Sequence, residues 1–217
     1  ATRLGKCIRF PLTDVRVFSG RTSTGVRGIR LIADDEVIAM SGLRHIRTEV
    51  AIRDEYLRSV NANRRLVGGD YTDRDEDKKK DEELAAKLLE EHFVEMAKEE
   101  EFILTITADG MGKRTSAYDY RVSKRGGKGI DSIDLKRVDN NTTVISVIPV
   151  FQTDEVVMVS DGGQLIRLPV EGISFTGRTA RGVTLFKVAK EERVVSVSRI
   201  REVIEEDIPL EENTAPN

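Results

Sequence analysis

The sequence predicts an all-β, propeller-like fold, a partial ring of about three four-stranded blades with a helical insertion. Two observations carry this prediction. A pattern of about 50 residues occurs three times, and Val- and Ile-rich stretches with period-2 alternation are separated by Asp-Gly and other glycine turns. Repeated four-stranded sheets are typical of propellers, in which each blade buries its faces against its neighbours.

Two motifs define the repeat unit. Gly-x-x-x-Arg stands at residues 5–9, 110–114 and 163–167, and Arg-x-x-x-Gly follows at 21–25, 125–129 and 178–182. After the second motif the alternation predicts strands over 26–31, 130–135 and 183–188, and each unit closes on a β-branched run, at 37–40, 144–147 and 194–197. The second unit is therefore predicted to hold four strands, at 102–107, 112–120, 129–135 and 144–150. Three units are too few to close a ring, so we expect the latter part of a larger one.

Composition sets two segments apart from the repeat. Helical periodicity of Leu84, Leu88, Leu89, Phe93, Met96 and Ala97 predicts a helix, and residues 61–80 are predicted to be a loop. The predicted order is a blade lacking its first strand at 1–43, an acidic, partly helical insertion at 44–101, a blade at 102–150, the last blade at 151–201, and an acidic disordered tail at 202–217.

The net charge of −3 conceals an uneven distribution. The repeat units carry 23 basic and 15 acidic residues, a net charge of +8, whereas the insertion carries −5 and the tail −6. A basic repeat of this kind suits a polyanionic partner. We expect the tail to compete with that partner for the basic surface.

The sequence contains no set of residues that would make the chain an enzyme or a metalloprotein by itself. Cys7 is its single cysteine, and His45 and His92 are its two histidines, both in the insertion. They cannot supply a zinc site or a nucleophile–histidine–acid set. No catalytic residue, metal or cofactor is predicted. No apolar run reaches the roughly 18 residues of a membrane-spanning helix, and a single thiol suits a reducing compartment.

The strongest local signal is the loop 123–129, Ser-Lys-Arg-Gly-Gly-Lys-Gly. It places Lys124, Arg125 and Lys128 among glycines. Cations attract phosphates, and glycines, which have no Cβ, let backbone N–H groups approach an anion closely. The alternative is a plain inter-strand turn with solvated cations. Arg21, Arg125 and Arg178 form a first row of cations at equivalent positions of the three units. Arg9, Arg114 and Arg167 form a second such row, and for it the alternative is pairing with a neighbouring blade.

The segments 21–31, 109–115 and 177–183 closely resemble the C-terminal domain of the DNA gyrase A protein, and the similarity covers about 1–43 and 102–201. The resemblance implies a six-bladed β-pinwheel whose outer strands are exchanged between adjacent blades. It implies a DNA-binding domain that wraps duplex DNA around a basic rim, so that the topoisomerase introduces negative supercoils. It also implies a bacterial, cytoplasmic, nucleoid-associated protein, whose partners are gyrase B subunits and a second gyrase A chain. ATP and Mg²⁺ would belong to other parts of that holoenzyme.

The family's signature box, Gln-Arg-Arg-Gly-Gly-Lys-Gly, has its nearest match at 123–129, with Ser123 in place of Gln and Lys124 in place of the first Arg. The resemblance therefore implies DNA contact there, without the ring-closing role of the box. Tyr118 and Tyr120 are expected to be packing residues. The predicted DNA-binding residues are Arg9, Arg21, Lys113, Arg114, Lys124, Arg125, Lys128, Arg167, Arg178 and Arg181, with Gly126, Gly127 and Gly129 in the box-like loop.

Two alternatives stay open at this point. The chain could belong to the C-terminal domain of the A subunit of topoisomerase IV. That domain differs from the gyrase A domain in its number of blades and in its box. It could instead be a non-catalytic propeller scaffold that binds a protein through the acidic insertion. Loss of DNA binding when Arg21, Arg125, Lys128 and Arg178 are changed to Glu would distinguish a DNA-wrapping module from a scaffold.

Overall fold

The computed structural model describes residues 1–32, 34–44, 48–68, 75–135 and 142–201, with the backbone only for 75–77. The predicted acidic tail, 202–217, lies outside the described residues. The strands are β1 Lys6–Cys7, β2 Phe102–Thr107, β3 Met111–Ser116, β4 Ile130–Asp131, β5 Val144–Val150, β6 Glu155–Ser160, β7 Leu165–Pro169, β8 Val183–Thr184 and β9 Val194–Ile200. The helices are α1 Val50–Gly68, α2 Asp75–Ala86 and α3 Glu91–Lys98.

The strands form three antiparallel sheets, in the orders β1-β4, β5-β2-β3-β8 and β7-β6-β9. The second and third repeat units pair their strands in the same way: β2 lies between β3 and β5, and β6 lies between β7 and β9. Both units also shift register at the end of the central strand, between Ile106 and Thr107 and between Val159 and Ser160. The sequence repeat is thus a repeat of structure.

Adjacent units exchange strands, as the resemblance implies. Each strand that follows an Arg-x-x-x-Gly motif pairs with the unit before it, β4 with β1 and β8 with β3. The motif glycine makes this crossing possible. Gly129 has φ +72°, and a Cβ there would stand 2.7 Å from the carbonyl oxygen of Cys7. Gly182 has φ +90°, and a Cβ there would stand 2.5 Å from the oxygen of Gly112. Only glycine combines this backbone with so close an approach.

Strand exchange also explains where the predicted strands differ from the observed ones. Residues 26–31 form no strand, because a strand at this position pairs with the preceding unit and no such partner lies among the described residues. The run at 37–40 makes one bridge, between Val37 and Thr2. The strands predicted at 129–135 and 183–188 shorten to β4 and β8, and the one predicted at 112–120 ends at Ser116. The C-terminal end of that predicted strand forms a 3-10 turn instead, Ala117–Asp119.

The core lies between neighbouring sheets. One cluster joins the second and third sheets around Leu104, Ile106 and Met158, and another joins the first and second sheets around Ile103 and Val147. Because β2 contributes to both clusters, five of its six residues are buried, whereas β6 alternates buried and half-buried residues. This layering is the packing that a propeller-like stack predicts.

The insertion forms three helices, of which α1 and α3 pack on the second unit through aromatic rings, and α2 packs on α1. Tyr56 of α1 packs edge to face against Phe93 of α3 and against Tyr118 of the second unit, with ring centres 5.6 Å apart in both pairs. The Tyr118 hydroxyl donates to the carbonyl oxygen of Met96 at 3.1 Å. Tyr118 and Tyr120 are both buried, in the packing role expected of them.

The helices differ from prediction in two places. Of the loop predicted over 61–80, residues 61–68 belong to α1 and 75–80 to α2 instead, and 69–74 lie outside the described residues. The apolar periodicity predicted as one helix is interrupted by a 3-10 turn, Lys87–Leu89, and by the extended backbone of Glu90. This break leaves Leu89 85% exposed. Within the described residues, no helix is long and apolar enough to cross a membrane.

Candidate nucleic-acid interface

The box-like loop, 123–129, lies against the first repeat unit and is held there by backbone hydrogen bonds. The amide of Ser123 donates to the oxygen of Arg9 at 2.8 Å, and the amide of Gly126 donates to that of Gly28 at 2.5 Å. In return, the amide of Arg30 donates to the oxygen of Gly127 at 2.8 Å. The loop is therefore a fixed connection between two units.

The three cations of the box-like loop differ in their availability. Lys124 and Lys128 are exposed, and neither makes a hydrogen bond or ion pair within the described part of the chain. Arg125 is half-buried, and its Nε donates to the oxygen of Asp14 at 2.8 Å while its Nη1 donates to that of Arg27 at 3.1 Å. The two lysines are free to meet an anion, whereas the arginine holds the backbone of the preceding unit.

The equivalent loop of the third unit repeats this division. Arg178 donates from Nη1 to the carbonyl oxygen of Asp131, which belongs to β4 in the second unit. Arg181 is exposed and makes no hydrogen bond or ion pair with any described residue. In the first unit Arg21 is exposed and likewise unpaired among the described residues. Because Arg125 and Arg178 each contact the preceding unit, the three loops lie side by side in chain order.

Two members of the second predicted row, Arg9 and Arg114, join their unit to the next. Arg9 donates from Nη1 to the oxygen of Ala117 at 2.7 Å, and Arg114 donates from Nε to that of Ile173 at 2.5 Å and from Nη2 to that of Glu171 at 2.8 Å. These acceptors lie in or beside the 3-10 turn of the following unit. Burial lowers the pKa of Arg9 and lowers that of Arg114 to about 10. Arg9 and Arg114 therefore pair with a neighbouring unit, which was the alternative to DNA contact for this row.

Lys113 and Arg167 are engaged with other parts of the protein as well. The Lys113 side chain is fully buried, and its Nζ donates to the oxygen of Gly177 at 2.9 Å and to that of Arg178 at 2.5 Å. Burial lowers its pKa to about 8. Arg167 is exposed and pairs with Glu155 across the β6–β7 hairpin. For Lys113 or Arg114 to contact a phosphate, its side chain would have to leave the core.

The structure thus divides the ten predicted cations into two groups. With respect to the residues that the structure describes, the free ones are Arg21, Lys124, Lys128 and Arg181, and the engaged ones are Arg9, Lys113, Arg114, Arg125, Arg167 and Arg178. Sequence analysis overlooked Arg121, which is exposed and has no partner among the described residues. The sequence feature that could have identified Arg121 was its position just before the box-like loop.

The chain matches the model of a protein family described as "DNA gyrase C-terminal domain, beta-propeller" over residues 1–41, 101–150 and 154–201. It is 44% identical to the DNA gyrase A protein of Rickettsia bellii over 221 residues, which is 99% of this chain and 23% of that protein. The corresponding gyrase A protein of Granulibacter bethesdensis is 45% identical over 209 residues, 93% of this chain and 22% of that protein. The chain therefore spans less than a quarter of the length of these relatives, and the alignments extend across the insertion.

One solved structure supports the fold. The C-terminal domain of a DNA topoisomerase IV superposes with a TM-score of 0.60 at 17% sequence identity, covering 92% of this chain and 45% of that one. Similarity at this level of identity shows a shared fold. It confirms the propeller-type architecture predicted from the repeat.

Proposed function

Because this chain belongs to the family of the DNA gyrase C-terminal domain, we propose that it binds duplex DNA and bends it along its basic loops, as part of a gyrase A protein. The observation that carries the proposal is the set of free cations on the loops of three adjacent units: Arg21, Lys124, Lys128 and Arg181. Side-by-side loops with unpaired cations suit a long polyanion that crosses one unit after another.

The energetics favour electrostatic binding with little sequence preference. Smooth bending of 20–30 base pairs by 40–90° costs on the order of 1–6 kcal/mol. Each phosphate neutralised releases counterions, and four such contacts would weaken binding about 100-fold between 50 and 200 mM salt. Contacts to phosphates carry no direct sequence information, so we expect similar affinity for unrelated duplexes.

In the parent protein this module would serve a larger reaction. Wrapped DNA of one handedness would present a crossing to the strand-passage core, and the holoenzyme would introduce negative supercoils. The gyrase B subunits and a second gyrase A chain would be its partners in the bacterial cytoplasm, with ATP and Mg²⁺ bound elsewhere in that assembly. The nearest alternative, topoisomerase IV, is less well supported because the relatives at 44–45% identity are gyrase A proteins.

The test is binding of linear duplex at 50 and 200 mM salt, with the four free cations changed to Gln. Loss of four phosphate contacts should abolish most of the salt dependence. The matched control changes four exposed lysines of the insertion to Gln, Lys78, Lys79, Lys80 and Lys98, and should bind as the unchanged chain does. Equal loss in both variants would point to net charge, and absence of binding by the unchanged chain would favour the protein-binding scaffold.

Wrapping needs a separate readout. A nicked plasmid religated in the presence of the chain should show a shift in linking number of one sign. Binding without such a shift would limit the proposal to DNA contact and refute wrapping by this chain.

A further inference from the structure

A hollow of about 270 Å³ lies where the first and second repeat units meet, beside the box-like loop. Its walls include the paired residues Cys7 and Ile130 of β1 and β4. Among the described residues, its lining holds four cations, Arg9, Arg121, Lys124 and Lys128, and no carboxylate. The positive charge of the lining favours an anionic group.

Three of the four cations are available to such a group. Arg121, Lys124 and Lys128 are exposed and make no hydrogen bond or ion pair with any described residue. Unpaired cations around one concavity reinforce one another's potential and attract an anion. Arg9 differs, because its guanidinium donates to the oxygen of Ala117 at 2.7 Å and to that of Arg44 at 3.3 Å, so it holds the wall in place.

The Cys7 thiol lies in the wall of the hollow. Burial raises its pKa, and the positive charges of the N-terminal amine, Arg178 and Arg9 oppose that rise. Arg178 belongs to the third unit and the other two groups to the first, so cations of two units act on this thiol. The backbone leaves the entrance open, since a Cβ added at the exposed Gly127 would come no nearer than 3.7 Å to its surroundings.

We propose that this hollow seats one backbone phosphate of duplex DNA, with Arg121, Lys124 and Lys128 as its ligands. The proposal rests on the proposed DNA-binding function and adds to it a defined site and a third cation, Arg121. A phosphate here would be fixed at the junction of two units, so the site would set the position of the duplex along the basic loops. Guanidinium and ammonium groups bind phosphate oxygens through charge-assisted hydrogen bonds.

The first experiment measures the salt dependence of duplex binding by the 217-residue chain. Because the hollow holds one phosphate, Arg121→Gln and Lys128→Gln combined should reduce the slope of log K against log salt by about 0.9, the amount expected for one lost phosphate contact. Each change alone should reduce the slope by a smaller amount. Arg58→Gln, the same change at an exposed arginine of α1, is the matched control and should leave the slope unchanged.

The second experiment uses Cys7, the single cysteine of the chain, as a reporter inside the hollow. Saturating duplex should slow alkylation of Cys7 by a maleimide at least threefold, and Arg121→Gln should remove most of this protection. Protection by 10 mM inorganic phosphate, with none from duplex, would assign the hollow to a free anion and overturn its assignment to DNA.

The two proposals can fail separately. If the unchanged chain binds duplex with strong salt dependence but Arg121→Gln and Lys128→Gln both keep its slope and its Cys7 protection, the hollow is not a phosphate site and DNA binding stands. If the unchanged chain does not bind duplex at all, the proposed function fails and the hollow's assignment fails with it.

Discussion

The guanidinium carbon of Arg114 lies 3.8 Å from the centre of the Phe175 ring, in the next repeat unit. The backbones of the two residues also bridge: the Arg114 amide donates to the oxygen of Ser174 at 3.0 Å, and the amide of Thr176 donates to that of Arg114 at 2.9 Å. Together with the carbonyl contacts of its side chain, this makes Arg114 a polar link between the second and third units.

Replacement of this arginine should destabilise the chain. Arg114→Met would leave the carbonyl oxygens of Glu171 and Ile173 without their donor and remove the stacking on Phe175. Hydrogen bonds from a charged donor contribute about 1.5–3 kcal/mol each, so we expect a loss of about 3–6 kcal/mol in the free energy of unfolding, measured with urea. Arg167→Met alters the equivalent, exposed residue and should cost less than about 1 kcal/mol. Equal losses would show that Arg114 does not link the units.

Lys113 should make stability depend on pH. Burial lowers its pKa to about 8 from the 10.5 of a free lysine, while the nearby charge of Asp119 opposes this and that of Arg178 adds to it. Between these values the unfolded chain binds more protons than the folded one, so the free energy of unfolding rises with pH. We expect a rise on the order of 1 kcal/mol from pH 8 to 9.5 relative to Lys113→Met, in which this titration is absent. Parallel pH profiles for the two proteins would contradict the prediction.

Gly129 should tolerate alanine less well than Gly25 does. The two glycines have nearly the same backbone, φ +72° and +73°, so alanine introduces similar strain of about 1–2 kcal/mol at each. At Gly129 the new Cβ would also stand 2.7 Å from the oxygen of Cys7, whereas at Gly25 it would meet nothing within 4 Å. Overpacking of this kind adds typically about 1–3 kcal/mol. Thermal unfolding of Gly129→Ala and Gly25→Ala should show this difference, and equal midpoints would refute the close crossing of β1 and β4.

Arg64 should fasten the helical insertion to the third unit. Its guanidinium carbon lies 4.1 Å from the centre of the Phe175 ring, and its Nη2 lies 3.5 Å from Oε1 of the buried Glu100. Loss of the stacking and of a partner for Glu100 should cost about 1–3 kcal/mol in Arg64→Ala. Arg58→Ala, at an exposed position of the same helix, should cost less than about 0.5 kcal/mol. Urea unfolding of both variants provides the comparison, and a neutral Arg64→Ala would mean that the insertion is held by its aromatic cluster.

The sequence predicted the repeat and the fold class because both depend on local pattern. Alternating Val and Ile residues define the central strands, and glycine is required where the exchanged strand crosses at Gly129 and Gly182. The short strands were predicted too long because their length depends on a partner in another unit. The same dependence explains why 26–31 is not a strand.

The availability of each cation could not be predicted in the same way. Arg21, Arg125 and Arg178 occupy one position of the repeat, but only Arg21 is free within the described structure, because the other two meet backbone carbonyls of a preceding unit. In the second row, Arg9 and Arg114 meet the unit that follows, and Arg167 pairs with Glu155 instead. Equivalent residues therefore differ by whether a neighbouring unit lies within reach.

The sequence by itself determined the repeating units, the glycines at their crossings and the basic character of the body, since each follows from residue type and local spacing. The tertiary structure decided which basic residues can meet a polyanion. A guanidinium that donates to a carbonyl oxygen 108 or 111 residues away in the chain has fewer donors left for a phosphate. Contacts over such separations exist only once the units have packed against one another.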